Sequence, residues 1–499
     1  MMENLRLKVL SGLFWSLLQS SGGKLVSLVL FAILARLLAP SEFGLFAAAM
    51  AVLSFVTLFV DQGLTEAIVQ RPSITPGVLN TVFFINLSLA AAMFAGLWIS
   101  APYVAMYMKM PDLTNVLRGS GIALLVSAIG FSQQAMHRRH FHYRWIAICT
   151  FISALSGGVV GTVLAFLNFG TWSLVAQGLV ATAVNTALLW LHGQWRLSTD
   201  FEFKGVQGLF VYGMSKLGTN VLFFAYTRGV ELLIAATAGA SALGVYLVGA
   251  KIYQSLMTTI CGAVLHVAHS GFSRIAPSKD AMINGYYNAM TMTSAVVVPA
   301  FCLLACVAPE MTLLCFGRRW ESSIPIMRAM ALLGAVEVLE FYNGTVFNAI
   351  GKPHIGFMLL LFKTPAVLAA VWLARDMPLA DMVWCYVGVQ LIANLPSFFL
   401  ARRLIGVSIV ALLQAIGRFV LACLVASAAV VIARLNLPLG DWPVVSRLAL
   451  LSGIGVSVYL GFVTLAARHQ CVEMVSLIRR SSPDQPGRPS ERTQVDTHG

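Results

Sequence analysis

Long apolar runs follow one another along the chain, separated by short polar stretches that hold most of the charged residues. A helix needs about 20 apolar residues to cross the hydrocarbon layer of a membrane. At that window, spans are predicted near residues 12–37, 43–66, 79–104, 115–136, 145–167, 171–192, 208–237, 242–270, 284–308, 322–348, 354–374, 380–401, 410–433 and 446–467. The connections are short, and none is long enough to form a folded domain of its own. The run from Leu13 to Leu38 is too long for a signal peptide and lacks a small-residue cleavage site, so it is expected to be a retained first helix. The segment from Ser481 to Gly499 is polar and proline-containing, and is expected to be disordered.

Composition agrees with this pattern. Of the 499 residues, 58% are hydrophobic and 11% are charged, with a mean hydropathy of +0.82. Soluble domains carry about 25% charged residues, so too little polar surface exists here to cover a water-soluble fold. The expected class is an all-α polytopic membrane protein.

The net charge of +13 comes from 33 Lys and Arg spread in ones and twos, not from a dense basic face. Nucleic acid is therefore not an expected partner. With the N-terminus in the cytoplasm, 18 of these bases fall in cytoplasmic segments, seven in the opposite loops and eight within spans. Basic residues collect on the cytoplasmic side, and an even number of spans returns the basic C-terminal segment there too. Both termini are expected inside. The eight cysteines show no CxxC pair and no ligand-like spacing with histidine, so neither disulfides nor a metal site is expected. Cys302 and Cys306, one turn apart, read as small packing residues.

A weak internal repeat is also present. Ser41-Glu42-Phe43-Gly44-Leu45-Phe46 is echoed by Ser241-Ala242-Leu243-Gly244-Val245-Tyr246, six spans later and in the same orientation. Parallel repeats of this kind divide a transporter into two bundles. The expected division is a six-helix bundle over 1–205, a second over 206–405, two additional helices over 406–470 and a cytoplasmic tail over 471–499.

Several stretches carry a family resemblance: LARLLAPSEFGLFA (34–47), DQGLTEAIVQR (61–71), QQAMHRRHFHYR (133–144), ATAGASALGVYLVGAKI (236–252), APEMTLLCFGRRWESSIPIMRAMALLG (308–334) and NAIGKPHIGF (348–357). In this order they resemble the polysaccharide-transporter family of the multidrug/oligosaccharidyl-lipid/polysaccharide flippases. Within it, the chain looks most like the exopolysaccharide branch that includes the colanic-acid flippases. The resemblance implies two helical bundles around a central cavity in the bacterial inner membrane. It also implies a cargo, an undecaprenyl-pyrophosphate-linked oligosaccharide, flipped to the outer leaflet for lipopolysaccharide or exopolysaccharide export. Membrane lipids, a polysaccharide polymerase and export machinery are the implied partners. Where the family often carries Asn-x-Asp, this chain reads Thr227-Arg228-Gly229-Val230-Glu231, so the resemblance transfers no coupling ion.

Ionisable groups at membrane depth normally face a cavity or a partner. A lipid pyrophosphate needs cations to offset its desolvation. The candidate substrate-binding cations are Lys24, after Gly22-Gly23; Lys363, beside Pro365; Arg228; Lys216; and Arg118. For Lys216 and Arg118 the alternative is snorkelling to the interface. Arg228 and Glu231 share a helix face and read as an internal ion pair. Glu337 and Glu340, also three apart, lack an obvious local base. Coupling or gating is the role expected of Glu337, Glu340, Asp61, Glu66 and Glu231. No cofactor is expected beyond H+ or Na+ as a coupling ion. The run from His137 to Arg144 reads as a topology signal that touches anionic lipid.

The expected function is thus a flippase working by alternating access, and not an enzyme. A drug or metabolite antiporter of the same superfamily is the alternative, disfavoured by the two extra helices. A glycosyltransferase, polymerase or ligase of polysaccharide assembly would need a soluble domain or a large loop. A lipid scaffold without transport stays open on sequence alone.

Overall fold

The computed structural model describes residues 26–61, 68–69, 74–193, 195–203, 207–275 and 278–466. Helices follow one another throughout: α1 (Val26–Leu37), α2 (Pro40–Asp61), α3 (Pro76–Tyr107), α4 (Leu113–Arg139), α5 (Tyr143–Phe166), α6 (Thr171–Leu191) and α7 (Gln207–Ile275). Then come α8 (Lys279–Cys306), the short α9 (Ala308–Cys315), a 3-10 turn (Arg318–Ser323), α10 (Ile324–Ala349) and α11 (Pro353–Leu373). The last three are α12 (Leu379–Ile405), α13 (Ile409–Asn436) and α14 (Val444–Ala466). The expected disordered segment from Ser481 lies outside the described residues, as does the start of the first span.

Local sequence sets the helix ends. Thr75 caps α3, its hydroxyl accepting from Val78 N at 3.3 Å, with Pro76 at the first position, where no donor is needed. Ser278 and Ser408 cap α8 and α13 in the same way. Gly406 closes α12 in the left-handed conformation, φ 85°. Pro102, Pro299, Pro365 and Pro396 sit inside helices, which neighbouring helices and side chains accommodate in a membrane.

Eleven of the described helices are long and apolar enough to cross a membrane. Two features bring that figure closer to the fourteen predicted spans. α7 runs for 69 residues but breaks at Gly239 (φ 85°, ψ 178°), which falls between the two spans predicted at 208–237 and 242–270. α10 carries Arg328, Glu337 and Glu340 and is not among the eleven, although its 26 residues suffice to cross. Counted this way the described residues hold thirteen such helices, and the first predicted span, 12–37, is described only over its last part, Val26–Leu37. The protein is an all-helical polytopic membrane protein. Large apolar side chains such as Leu373, Leu435 and Leu465 face outward, as lipid contact demands.

α2, α4, α5 and α6 pack among themselves, and α3 packs on α4. α7, α8, α10, α11 and α12 form a second set, with α13 and α14 laid against α8. The two sets meet chiefly where α2 lies along α7. Their described contacts concentrate at the end where α1 turns into α2. There Trp320, fully buried, donates Nε1–H to Ala35 O at 2.6 Å. Arg36 reaches Cys315 O at 3.3 Å and also Leu314 O. Arg319 reaches Leu37 O at 3.4 Å. Phe31, Phe43, Phe316 and Trp320 stack edge to face, with centroids 5.2–5.9 Å apart. This end is closed by a hairpin, α9 plus the 3-10 turn, seated on the α1–α2 corner.

Candidate functional site

Behind the aromatic plug lies a cavity of about 450 Å³ between the two helix sets. Its lining comes from α1, α2, α5, α6 and α7, and combines an apolar wall with a few polar groups: Ser27, Gln177, Gln254, Arg228, Glu231 and Lys251. α7 supplies all three charges. Arg228 and Glu231 stand one turn apart and form an ion pair in which the one nitrogen Nη1 donates to both carboxylate oxygens, 2.9 Å from Oε1 and 2.8 Å from Oε2. The Glu231 side chain is buried, while that of Arg228, which lines the cavity, is 46% exposed. Beyond the Gly239 break, Lys251 points its Nζ at the ring of Phe31, 4.5 Å from the centroid.

Two bases against one acid make the described lining a net cation. In a low-dielectric wall such charges act more strongly than in water, so the cavity favours an anionic group. The hydroxyl and amides can add hydrogen bonds to phosphate oxygens or sugar hydroxyls.

A second polar centre lies on the far side of α7, inside the second helix set, around a pocket of about 260 Å³. Lys363 of α11, 8% exposed, is ion-paired with Glu340 of α10. Tyr253 donates to the Glu337 carboxylate, and Gln390 Nε2 donates to Tyr226. Tyr286 donates to Asn343 Oδ1 at 2.6 Å, and Asn343 Nδ2 donates to Ser397 at 2.9 Å.

This arrangement places several of the candidate residues. Lys363 lines this second pocket and is not in the described lining of the central cavity, with its ammonium ion-paired to Glu340. Nor do Glu337 and Glu340 lack partners. The base for Glu340 comes from the following helix, and Glu337 takes a tyrosine hydroxyl from α7. Arg118 also lies away from the cavity; it stacks over Trp98 at 4.8 Å and donates to Trp98 O at 3.3 Å, tying α4 to α3. Arg228 and Glu231 are brought together as their spacing predicts.

Lys24 and Glu66 lie outside the described residues, and the side chains of Asp61 and Lys216 do too. His137 is buried, with Nε2 3.2 Å from Leu189 O, and Arg139 donates to Ile68 O at 3.0 Å, so part of that basic run braces helix ends. Cys302 and Cys306 line an apolar groove between α8, α13 and α14 together with Cys423. Lys251, one of the eight bases within predicted spans, lines the cavity but is not among the candidate cations chosen from the sequence. Its signal was available: it lies seven residues after Gly244 in the repeated segment, on the helix that also carries Arg228.

A family model described as "Polysaccharide biosynthesis protein" matches residues 33–325. The teichuronic acid biosynthesis protein TuaB of Bacillus subtilis (strain 168) is 24% identical over 422 residues, covering 83% of this chain and 86% of the relative. The succinoglycan biosynthesis transport protein ExoT of Rhizobium meliloti (strain 1021) is 25% identical, covering 74% and 75%. The lipopolysaccharide biosynthesis protein WzxC of Escherichia coli (strain K12) is 22% identical, covering 79% and 81%. Among solved structures, the lipid II flippase MurJ in an inward closed conformation superposes with a TM-score of 0.70 at 11% identity, over 92% of this chain and 98% of that one. An inward-facing multidrug resistance MATE transporter of the MOP superfamily gives 0.62 at 13% identity, over 79% and 96%. These last two establish the fold. The relatives' similar identities do not single out one branch of the family.

Proposed function

The chain belongs to the polysaccharide biosynthesis protein family of membrane transporters, and on that premise we propose that it flips undecaprenyl-pyrophosphate-linked oligosaccharide repeat units across the bacterial inner membrane. The observation that carries this reading is the cavity between the helix sets, its described lining net cationic and one end closed by the α9 hairpin. With both termini taken as cytoplasmic, the closed end is periplasmic and the cavity receives cargo from the cytoplasm. The pyrophosphate then meets Lys251 and Arg228, and the sugars meet the polar wall. Lys24 and Lys216 are proposed to extend the cationic path. Rocking of the two sets opens the α1–α2 corner to the other side. A proton or sodium gradient is the proposed drive, acting through Glu231 or Glu337. Relatives named for succinoglycan transport and for lipopolysaccharide biosynthesis support a saccharide cargo, in line with the exopolysaccharide branch.

An antiporter of cationic drugs would want an excess of acids in the cavity, which is the opposite of what lines it. The deciding experiment reconstitutes the protein in liposomes with a fluorescent undecaprenyl-pyrophosphate-linked oligosaccharide. Protein-dependent movement between leaflets, lost in Lys251→Ala/Arg228→Ala, is the expected result. Movement equal to that of empty liposomes sinks the reading.

A further inference from the structure

Residues two apart on an α-helix point to nearly opposite sides. α7 uses that geometry twice. Arg228 lines the central cavity while Tyr226, two residues earlier, accepts a hydrogen bond from Gln390 of α12 on the other side. Past the break at Gly239, Lys251 lines the cavity while Tyr253, two residues later, donates to Glu337 of α10. Each half of α7 therefore carries a cavity cation and, behind it, a tyrosine anchored in the polar interior of the second helix set.

The two cations are held differently. Arg228 has its counter-ion on its own helix, so Glu231 fixes it whatever α7 does. Lys251 has, among the described residues, the ring of Phe31 as its contact. A ring face gives attraction but little direction, so where the ammonium sits depends on how the helix beneath it is rotated. Glu340 is taken by Lys363, which leaves Glu337 to Tyr253. We propose that Tyr253 and Glu337 are a positioning pair for Lys251, pinning the second half of α7 against α10 so that the ammonium faces the diphosphate of the cargo. The inference rests on the transport reading above, and it assigns an anion-orienting task to residues that never touch the cargo.

The test uses the purified full chain and inorganic pyrophosphate as the probe, with binding followed by titration calorimetry. Lys251→Ala is expected to weaken binding about tenfold and Tyr253→Phe about fourfold, while the double variant binds no more weakly than Lys251→Ala, the signature of two residues acting as one. Glu337→Gln, which keeps an acceptor oxygen, is expected within about twofold of the unaltered protein, and Glu337→Leu is expected to match Tyr253→Phe. Additive losses report a general structural effect and overturn the inference. Unchanged binding in Tyr253→Phe, or no pyrophosphate binding by the unaltered protein, overturns it as well. Liposome flipping measured in parallel separates the two ideas. Coupled binding without movement of the lipid-linked oligosaccharide leaves the positioning pair standing and rejects the transport reading; movement without coupling does the reverse.

Discussion

Gly44 of α2 and Gly244 of α7 meet backbone to backbone at the closed end. A Cβ on Gly44 would fall 1.6 Å from Ala240 O and 2.9 Å from Gly244 N; one on Gly244 would fall 2.0 Å from Pro40 O and 3.2 Å from Gly44 N. The contact is reciprocal, and both residues hold the same place in the echoed sequence. The repeat is therefore more than a trace of duplication. Its glycines are what let the two helix sets touch.

A side chain at either position must push α2 and α7 apart. Gly44→Leu is expected to destabilise the protein by about 1–3 kcal/mol, the usual range for overpacking, and to abolish flipping because the closed end no longer seals. Gly96→Leu is the control, since nothing lies within 4 Å of a Cβ there. Thermal unfolding in detergent and liposome flipping check both. Equal behaviour of the two variants would show that the Gly44 contact is not required.

The hairpin that seats on the α1–α2 corner should behave as a latch. Trp320→Phe keeps the buried ring but loses the bond to Ala35 O, and Arg36→Ala loses the bonds to Leu314 O and Cys315 O. Each hydrogen bond contributes about 1 kcal/mol net, so the double variant should shift the closed–open balance about tenfold or more. Spin labels at the exposed Phe169 and Asp376, in turns at this end on the two helix sets, would report it as a longer-distance population. An unchanged distance distribution would mean that the hairpin is not the latch.

The architecture was largely legible before any coordinates, because apolar runs of membrane length are long and their loops short. Even the Gly239 break falls in the gap predicted between two spans. The site was legible only in part. Arg228 and Glu231 were readable because three residues on one helix make a local pair. Glu340 and Lys363 are 23 residues apart on different helices, and only tertiary packing brings them together. A lysine paired to an acid of another helix and a lysine facing the central cavity look alike in sequence; Lys363 and Lys251 are one of each.

That distinction is testable at Lys363. Lys363→Met leaves the Glu340 carboxylate without its cation and is expected to cost about 3–5 kcal/mol. Glu340→Leu/Lys363→Met removes both charges and should recover most of that stability together with flipping activity. A cation that binds cargo would not be rescued by deleting its neighbour. Thermal unfolding and flipping of the single and double variants decide it; failure of the double variant to flip while folded would return Lys363 to the list of cargo contacts.

Glu231 gives the sharpest electrostatic prediction. It neutralises Arg228 within the cavity, so the cargo's diphosphate must compete with both carboxylate oxygens for the guanidinium. Glu231→Gln keeps the shape and an oxygen acceptor but removes the charge. The described lining then goes from one net positive charge to two, and pyrophosphate affinity should rise about fivefold to tenfold, roughly 1–1.4 kcal/mol. Tighter binding need not mean faster transport. If release into the far compartment relies on Glu231 reclaiming Arg228, Glu231→Gln should bind better and flip more slowly. Calorimetry with pyrophosphate and liposome flipping would read the two effects separately. Weaker binding in Glu231→Gln would mean that the acid orients Arg228 toward the anion instead of competing with it.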